Sequence, residues 1–425
     1  MAKKKNQSAA QRQLQLFNRL LIGLLLAILL GTAVFLLLNR NEGESEVPEK
    51  VTPTYAPAAP ATETPAAQPA VSVPSTPEPT PQPTPEPEPE PEYFTLSLIG
   101  DCTLAADTEK KSWGIGFNNV VGQNYAYPFE NTVQYFSDDY MTLANLECCF
   151  SNKTYYSIEQ FVFLSPAAYA GILREGSVEF VTLANNHTRD FGEQAYNDTC
   201  VALEAAAIKY AGEDGTYIYQ RDDGVKVGVY CIYDQLTYNA LSILSDSKRE
   251  ATLQDGQERI QRSIETLRSE GAEFTVCCLH MGREGYYEPT AEQTDMCRFA
   301  ADCGYDLVYC THSHRLQPVE SYNGSLILYS MGNWSFGGHT NPGNGNDPGA
   351  YDTGIVQVTV KRVGDKASVD GYKLIPCSIS SQSGINDYRP TPYEEGSKEY
   401  DRAMSMFSGT YEGANYITNY SFLYE

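Results

Sequence analysis

Asp101, Glu147, Asn186, His280, His312 and His314 make a mixed donor set in a 425-residue chain that has only five histidines. Carboxylates and a carboxamide offer hard oxygen donors, and imidazole suits Mn, Fe or Zn. The set therefore fits one or two divalent transition-metal ions. A carboxylate such as Glu147 can bridge two cations and lower their mutual repulsion. Two ions about 3.5–4 Å apart would clamp the attacking and leaving oxygens of a phosphoryl displacement. The His-x-His at 312–314 is weak on its own, because such pairs occur in ordinary loops. With NNH at 185–187 and HMG at 280–282 it becomes part of a series.

The elements that must position these residues are short β-branched or aromatic runs: 94–99, 140–146, 179–183, 225–233, 273–279, 305–310 and 325–329. Helical patterns at 192–208 and 290–303 lie between them. Each has a capping-box spacing at its start, Asp190 with Glu193 and Thr290 with Gln293. Such alternation predicts an α/β domain with helices packed on sheet faces. After Gly349 only strands are expected (GIVQVTVKRV, ASVDGYKLIP), as a closing hairpin on the sheet edge. The polar residues sit at strand ends. Asp101 follows the first strand, Asn145 and Glu147 end the second, and Asn185–His187 end the third. His280 ends the fifth, His312 and His314 the sixth, and Asn333 follows the seventh. In open α/β sheets ligands bind at the carboxyl ends of strands, so one shared site is expected. His339, in a Gly/Asn-rich loop, is the exception.

In chain order the motifs are GD at 100–101, NLE at 145–147, LANNHTRDFG at 183–192, LHMGRE at 279–284, THSHRLQP at 311–318 and YSMGNW at 329–334. This series resembles the bacterial capsule-synthesis CapA family, which is named for poly-γ-glutamate capsule assembly and related to calcineurin-like metallophosphoesterases. The resemblance covers about residues 94–336. It implies a four-layer α/β/β/α sandwich with the metal centre at the strand ends. It also implies that Asp101 and His314 bind one metal, that Asn186, His280 and His312 bind the other, and that Glu147 bridges. His187 would be the acid for the leaving oxygen, with Asp190 and Arg189 beside it. Asn145, Glu284 and Asn333 would support the ligands or face substrate. One departure stands out. Many metallophosphoesterases carry a histidine two residues after the first aspartate, where this chain has Thr103, so the first metal would have fewer protein ligands.

The rest of the chain sets the context. Residues 20–38 carry no charge and would span roughly 28 Å as a helix, close to a bilayer core. Five basic residues precede this run and acids crowd after it, which predicts a signal anchor with residues 1–19 in the cytoplasm and the remainder outside. The run is long and no small-x-small site follows it, which argues against a cleaved leader. Residues 39–92, holding 15 of the 24 prolines, read as a disordered, extended linker reaching roughly 40–160 Å. A globular domain is expected at 93–377, and a C-terminal extension at 378–425 that packs on it or is partly disordered. From residue 93 onward the chain has 23 basic and 44 acidic residues, a balance that repels nucleic acid. The same balance would repel a polyanion unless metals or local basic groups such as Arg283 and Arg315 intervene. Eleven cysteines, odd in number and mostly in apolar runs, read as buried hydrophobes with room for one or two disulfides. The leading expectation is a cell-membrane-anchored phosphoesterase-like hydrolase acting on an envelope polymer or its phosphorylated precursor, alongside other polymer-synthesis membrane proteins. The alternatives are a non-enzymatic accessory factor for assembly or export of an anionic polymer, and a metal-dependent amide hydrolase on γ-glutamyl links.

Overall fold

Alternation along the strands decides how the layers stack. The computed structural model describes residues 89–413, apart from 108–115, 156, 158–160, 234–235 and 338–346. The basic tail, the 20–38 run, nearly all of the linker and His339 lie outside the described residues. Among the described residues no helix is long and apolar enough to cross a membrane.

Strands β1 (Glu92–Cys102), β2 (Met141–Leu146), β5 (Phe180–Thr182) and β6 (Lys209–Ala211) run parallel in a seven-stranded sheet. Its other side is antiparallel, from β1 to β13 (Asp352–Val363), β14 (Lys366–Ser378) and the two-residue β15 (Thr391–Pro392). The second sheet, of six strands, has the order β11-β12-β10-β9-β8-β7. Its strands are β7 (Gly215–Tyr219), β8 (Val227–Ile232), β9 (Phe274–His280), β10 (Leu307–Thr311), β11 (Val319–Tyr322) and β12 (Ser325–Leu328). A small third ladder pairs β3 (Cys149–Phe150) with β4 (Leu164–Ser165).

Along β8 and β9, Val227, Val229, Cys231, Phe274, Val276 and Cys278 face the first sheet, where they meet Leu96, Leu98, Leu143 and Phe180 in one buried cluster. Their alternates, Tyr230, Ile232, Cys277 and Leu279, face α5 (Asp246–Ser269) and α6 (Ala291–Asp302) through Ile260, Ile264, Leu267, Met296 and Ala300. On the far side of the first sheet, Ile99, Ala144, Leu146 and Val181 pack on Phe117 of α1 (Phe117–Val121), on α2 (Ala170–Glu175) and on α3 (Gly192–Ala205). Helices, sheet, sheet and helices thus stack in that order, with the central strands β2, β8, β9 and β10 buried on both faces with period two. The short helix α4 (Tyr238–Ser242) starts at Thr237, whose hydroxyl accepts from the Ala240 N–H.

The expected strands and both expected helices are present. The capping box at Thr290 and Gln293 forms in both directions. That at Asp190 does not: α3 is entered through Phe191 with no side-chain cap, and the Asp190 carboxylate turns to His187 and the Phe163 N–H instead. The closing hairpin also differs from expectation. β13 lies beside β1 well inside the sheet, and β15 forms the edge. The C-terminal extension packs on the domain as far as Tyr411, with Ala403, Met406 and Phe407 of α7 (Lys398–Phe407) in the inter-sheet cluster. All eleven cysteines are free thiols and nine are buried, so the room left for disulfides is not used.

Candidate metal centre

Two glycines bring the ends of the sheets together. A Cβ on Gly100 would lie 2.1 Å from the Gly332 carbonyl oxygen, so only glycine permits this approach. Across it, the Asp101 N–H donates to Gly332 at 2.9 Å, and Asp101 and Asn333 form a parallel bridge. Asp101 is thereby fixed at the end of β1, opposite Asn145 on β2. Glu147 follows β2, and its N–H donates to the Cys102 carbonyl at 2.8 Å.

Asn145 organises the carboxylates. Its amide nitrogen donates to Asp101 Oδ1 at 2.9 Å and to Glu147 Oε2 at 3.2 Å, while its oxygen accepts from Asn185. This uses one oxygen of each carboxylate and leaves the other. Glu147 Oε1 is buried with no hydrogen-bond partner, and so is His312 Nε2, while Asp101 Oδ2 has only an ion-pair contact with His314. Stranding a buried oxygen costs about 1–3 kcal/mol, more when it is charged. These atoms are not scattered. Glu147, His280 and His312 bring ligand atoms within 4.8 Å of one another, and so do Asp101, Glu147 and His314. Glu147 is common to both groups. Its Oε1 is 3.7 Å from His280 Nε2 and 3.9 Å from His314 Nε2.

The imidazoles are oriented from behind. Thr311 Oγ1 lies 2.8 Å from His280 Nδ1, which aims Nε2 at Asn186 Oδ1, 2.7 Å away. Asn333 Oδ1 lies 2.9 Å from His314 Nδ1, which is also 3.2 Å from Asp101 Oδ2. His312 and His314 both have positive φ, 105° and 54°, a conformation costing of order 1–3 kcal/mol at a non-glycine residue. The His-Ser-His turn is held there by its neighbours; Gly285 N–H, for example, donates to Ser313 O at 2.8 Å. A third group, Glu284 with His312 and His314, forms the rim.

With protein groups alone the charges conflict. Burial, then the Asp101 charge, pushes the Glu147 carboxyl up to about 8. Burial pushes His312 down to about 4 and His280 well below its ordinary range. Burial acts the same way on His314, but the Glu147 and Asp101 carboxylates outweigh it and hold the ring near 9. A divalent cation would resolve this, since such an ion takes ionised carboxylates and neutral imidazoles together. Donor chemistry, spacing and the stranded atoms all fit such ions.

The sequence profile described as bacterial capsule synthesis protein PGA_cap matches residues 95–337, more than half of the chain. The chain belongs to this family. The capsule biosynthesis protein CapA from Bacillus anthracis is 23% identical over 259 residues, covering 58% of this chain and 60% of that protein. The PGA biosynthesis protein CapA from Bacillus subtilis strain 168 is 22% identical over 307 residues, covering 69% of this chain and 75% of that protein. Among solved structures, the calcineurin-like phosphoesterase YfkN from Bacillus subtilis superposes with a TM-score of 0.41 at 13% identity, covering 71% of this chain and 95% of that one.

Within the PGA_cap match the remaining residues of interest divide. His187 Nδ1 lies 3.0 and 3.1 Å from the two Asp190 oxygens, and the ring packs edge-on against Phe163 at 4.9 Å. Burial would lower its pKa, but the Asp190 carboxylate outweighs burial and raises it. Asn185, whose oxygen accepts the N–H groups of His187 and Thr188, shapes the turn that presents Asn186. Arg189 is not brought to the donor groups. It pairs with Glu193 on the exposed side of α3 and stacks 4.0 Å over Tyr196. Thr103 is committed elsewhere, its hydroxyl accepting from the Gly337 N–H at 2.6 Å. Arg315, expected as a local basic group, is spent on Asp347 in a buried ion pair. Thr311 and Asn185 both lie inside the sequence motifs, but nothing in the sequence marked the roles they take behind the donor residues.

Proposed function

We propose that this PGA_cap domain is a metal-dependent hydrolase of the phosphoesterase type, acting on an anionic envelope polymer of the poly-γ-glutamate kind or on its phosphorylated precursor. The observation that carries the reading is Glu147 Oε1, a buried oxygen with no hydrogen-bond partner, shared by two donor groups. In this reading Asp101, His314 and Glu147 hold one divalent ion, and Glu147, His280, His312 and Asn186 hold the other. Such ions supply an activated water and neutralise charge on the group under attack.

The chain's own side chains do the rest. Asn145 keeps one oxygen of Asp101 and one of Glu147 occupied, so the other of each is directed to an ion. Asp190 holds His187 at Nδ1, which leaves Nε2 to carry a proton toward the departing oxygen, a role worth about 10²–10⁴ in rate. Residues 20–38 anchor the chain in the cell membrane and residues 39–92 hold the domain away from it on the outer side, near other polymer-synthesis proteins.

The test uses the full-length chain in detergent. Metal analysis should find up to two transition-metal ions in the wild type and a loss from both positions in Glu147→Ala. Unchanged metal content in that variant would sink the arrangement. In His187→Asn, metal content should persist while hydrolysis of a phosphodiester with a poor leaving group falls by about 10²–10⁴ and that of an activated aryl ester much less. Metal-loaded protein that turns over neither phosphodiesters nor γ-glutamyl amides would leave an accessory role in polymer assembly.

A further inference from the structure

Most basic side chains on and around the site motifs are neutralised. Arg189 pairs with Glu193, Arg315 with Asp347, and Lys153, on the loop after β3, with Asp198. Arg283 is different. Among the described residues no carboxylate pairs with it. Its guanidinium carbon instead lies 4.4 Å from the ring centroid of Tyr238 and 4.2 Å from that of Tyr286.

The loop that carries Arg283 is fixed to the metal centre on every side. It begins at His280, the last residue of β9. The Met281 N–H donates to Thr311 at 3.1 Å and the Gly285 N–H to Ser313 at 2.8 Å. The Tyr238 N–H donates to the Gly282 carbonyl at 2.9 Å, which ties α4 to the same loop. The next residue, Glu284, lies 3.9 Å from His312. Arg283 is therefore three residues from His280 and next to Glu284 on a loop tied to the donor groups, and its guanidinium is flanked by two aromatic rings. Ring contacts engage the face of a guanidinium and leave the N–H groups of its edge to other partners. That edge matches a planar carboxylate with two parallel hydrogen bonds.

We propose that Arg283, held by Tyr238 and Tyr286 beside the metal centre, is a specificity residue that binds a carboxylate of the substrate. The proposal deepens, and rests on, the reading of this site as one that acts on an anionic polymer. It makes Arg283 a positioning group for a repeating acidic unit, away from the reacting atoms.

The experiment measures calorimetric binding to the full-length, manganese-treated chain, with metal content determined on the same samples. The probes are a γ-linked glutamyl pentapeptide, the same peptide with its α-carboxyls converted to carboxamides, and inorganic phosphate. Wild type should prefer the carboxylate peptide to its amide. Arg283→Gln should weaken the carboxylate peptide about 10- to 100-fold and leave amide binding and metal content unchanged. Arg283→Lys should recover part of the affinity, since it restores the charge without the fork. Equal affinity of wild type and Arg283→Gln for the carboxylate peptide, or no binding to wild type, overturns the proposal. So does equal weakening of both peptides, which is the signature of a structural role, or an Arg283-dependent affinity for phosphate alone. Failure of the functional reading looks different: a chain without metal that still binds the carboxylate peptide through Arg283 keeps this inference and loses the other.

Discussion

Asp352 and Glu147 are both shut away from solvent, at 1% and 0% exposure, yet they are treated in opposite ways. Asp352 receives two hydrogen bonds from Arg402, at 2.6 and 2.7 Å, and a third from the Tyr393 hydroxyl at 2.7 Å. Glu147 receives one amide hydrogen bond on Oε2, and the imidazole nitrogens of His280 and His314 stand 3.7 and 3.9 Å from its Oε1, too far for a hydrogen bond. A buried carboxylate supplied with a cation by its own fold is architecture, here tying β13 to α7. A buried carboxylate left open toward other donors is a site. Burial and charge alone do not separate the two; the count of satisfied oxygens does.

The largest test of this contrast removes each charge in turn. Asp352→Asn leaves Arg402 facing a neutral amide and should cost about 3 kcal/mol in denaturant unfolding, with metal content intact. Glu147→Gln should do the reverse: metal is lost, while the chelator-treated protein is as stable as chelator-treated wild type or more so. Equal destabilisation of the two chelated variants would break the distinction. A smaller effect sharpens it through an intermediate case. Glu179 accepts the Thr142 N–H at 2.8 Å, but burial still lifts its carboxyl to about 7. Because this folded-state value lies above the roughly 4.3 of an unfolded glutamate, folding takes up a proton between the two. Its favourable contribution is complete below about pH 4.3 and is lost as pH rises through about 7. Chelated wild type should therefore lose stability relative to Glu179→Gln between pH 5 and 8; parallel denaturation midpoints over that range would refute this. The smallest effect is expected at Arg189, whose exposed pair with Glu193 is worth at most about 0.5 kcal/mol. Arg189→Ala should leave unfolding, metal content and turnover nearly unchanged, and a fall in turnover alone would return Arg189 to the substrate.

Much of this was legible from residue order. Strand runs such as 225–233 and 273–279 are apolar on both faces, so they announce themselves, and polar residues just past them mark the strand ends. The longest helix among the described residues, Asp246–Ser269, has no clear sequence signal, because among its 24 residues only Gly256, Ile260, Ser263, Ile264 and Leu267 are buried. Its apolar stripe is too thin to stand out in a sequence of charges. Asp190 shows the limit of local patterns: spacing favoured a cap on α3, but a nearby imidazole and the Phe163 N–H compete for the same carboxylate and win. Arg315 and Arg283 look alike in sequence. Only the fold distinguishes the one buried against Asp347 from the one held by tyrosines.

The position of β13 has a consequence for the order of events when the domain is made. The strand that presents Asp101 is completed on one side by a strand from the far end of the chain, with Glu92 paired to Arg362 across 270 residues. Pairings that distant close late, and they slow folding. During vectorial synthesis β1 waits with an open edge, a target for association with other chains, until residues 352–378 arrive. A truncation at residue 337 would retain every donor of the metal centre and still leave that edge uncovered. The hairpin thus acts as a late latch of the domain, and the strand that carries Asp101 is covered on that side only when most of the domain has been synthesised.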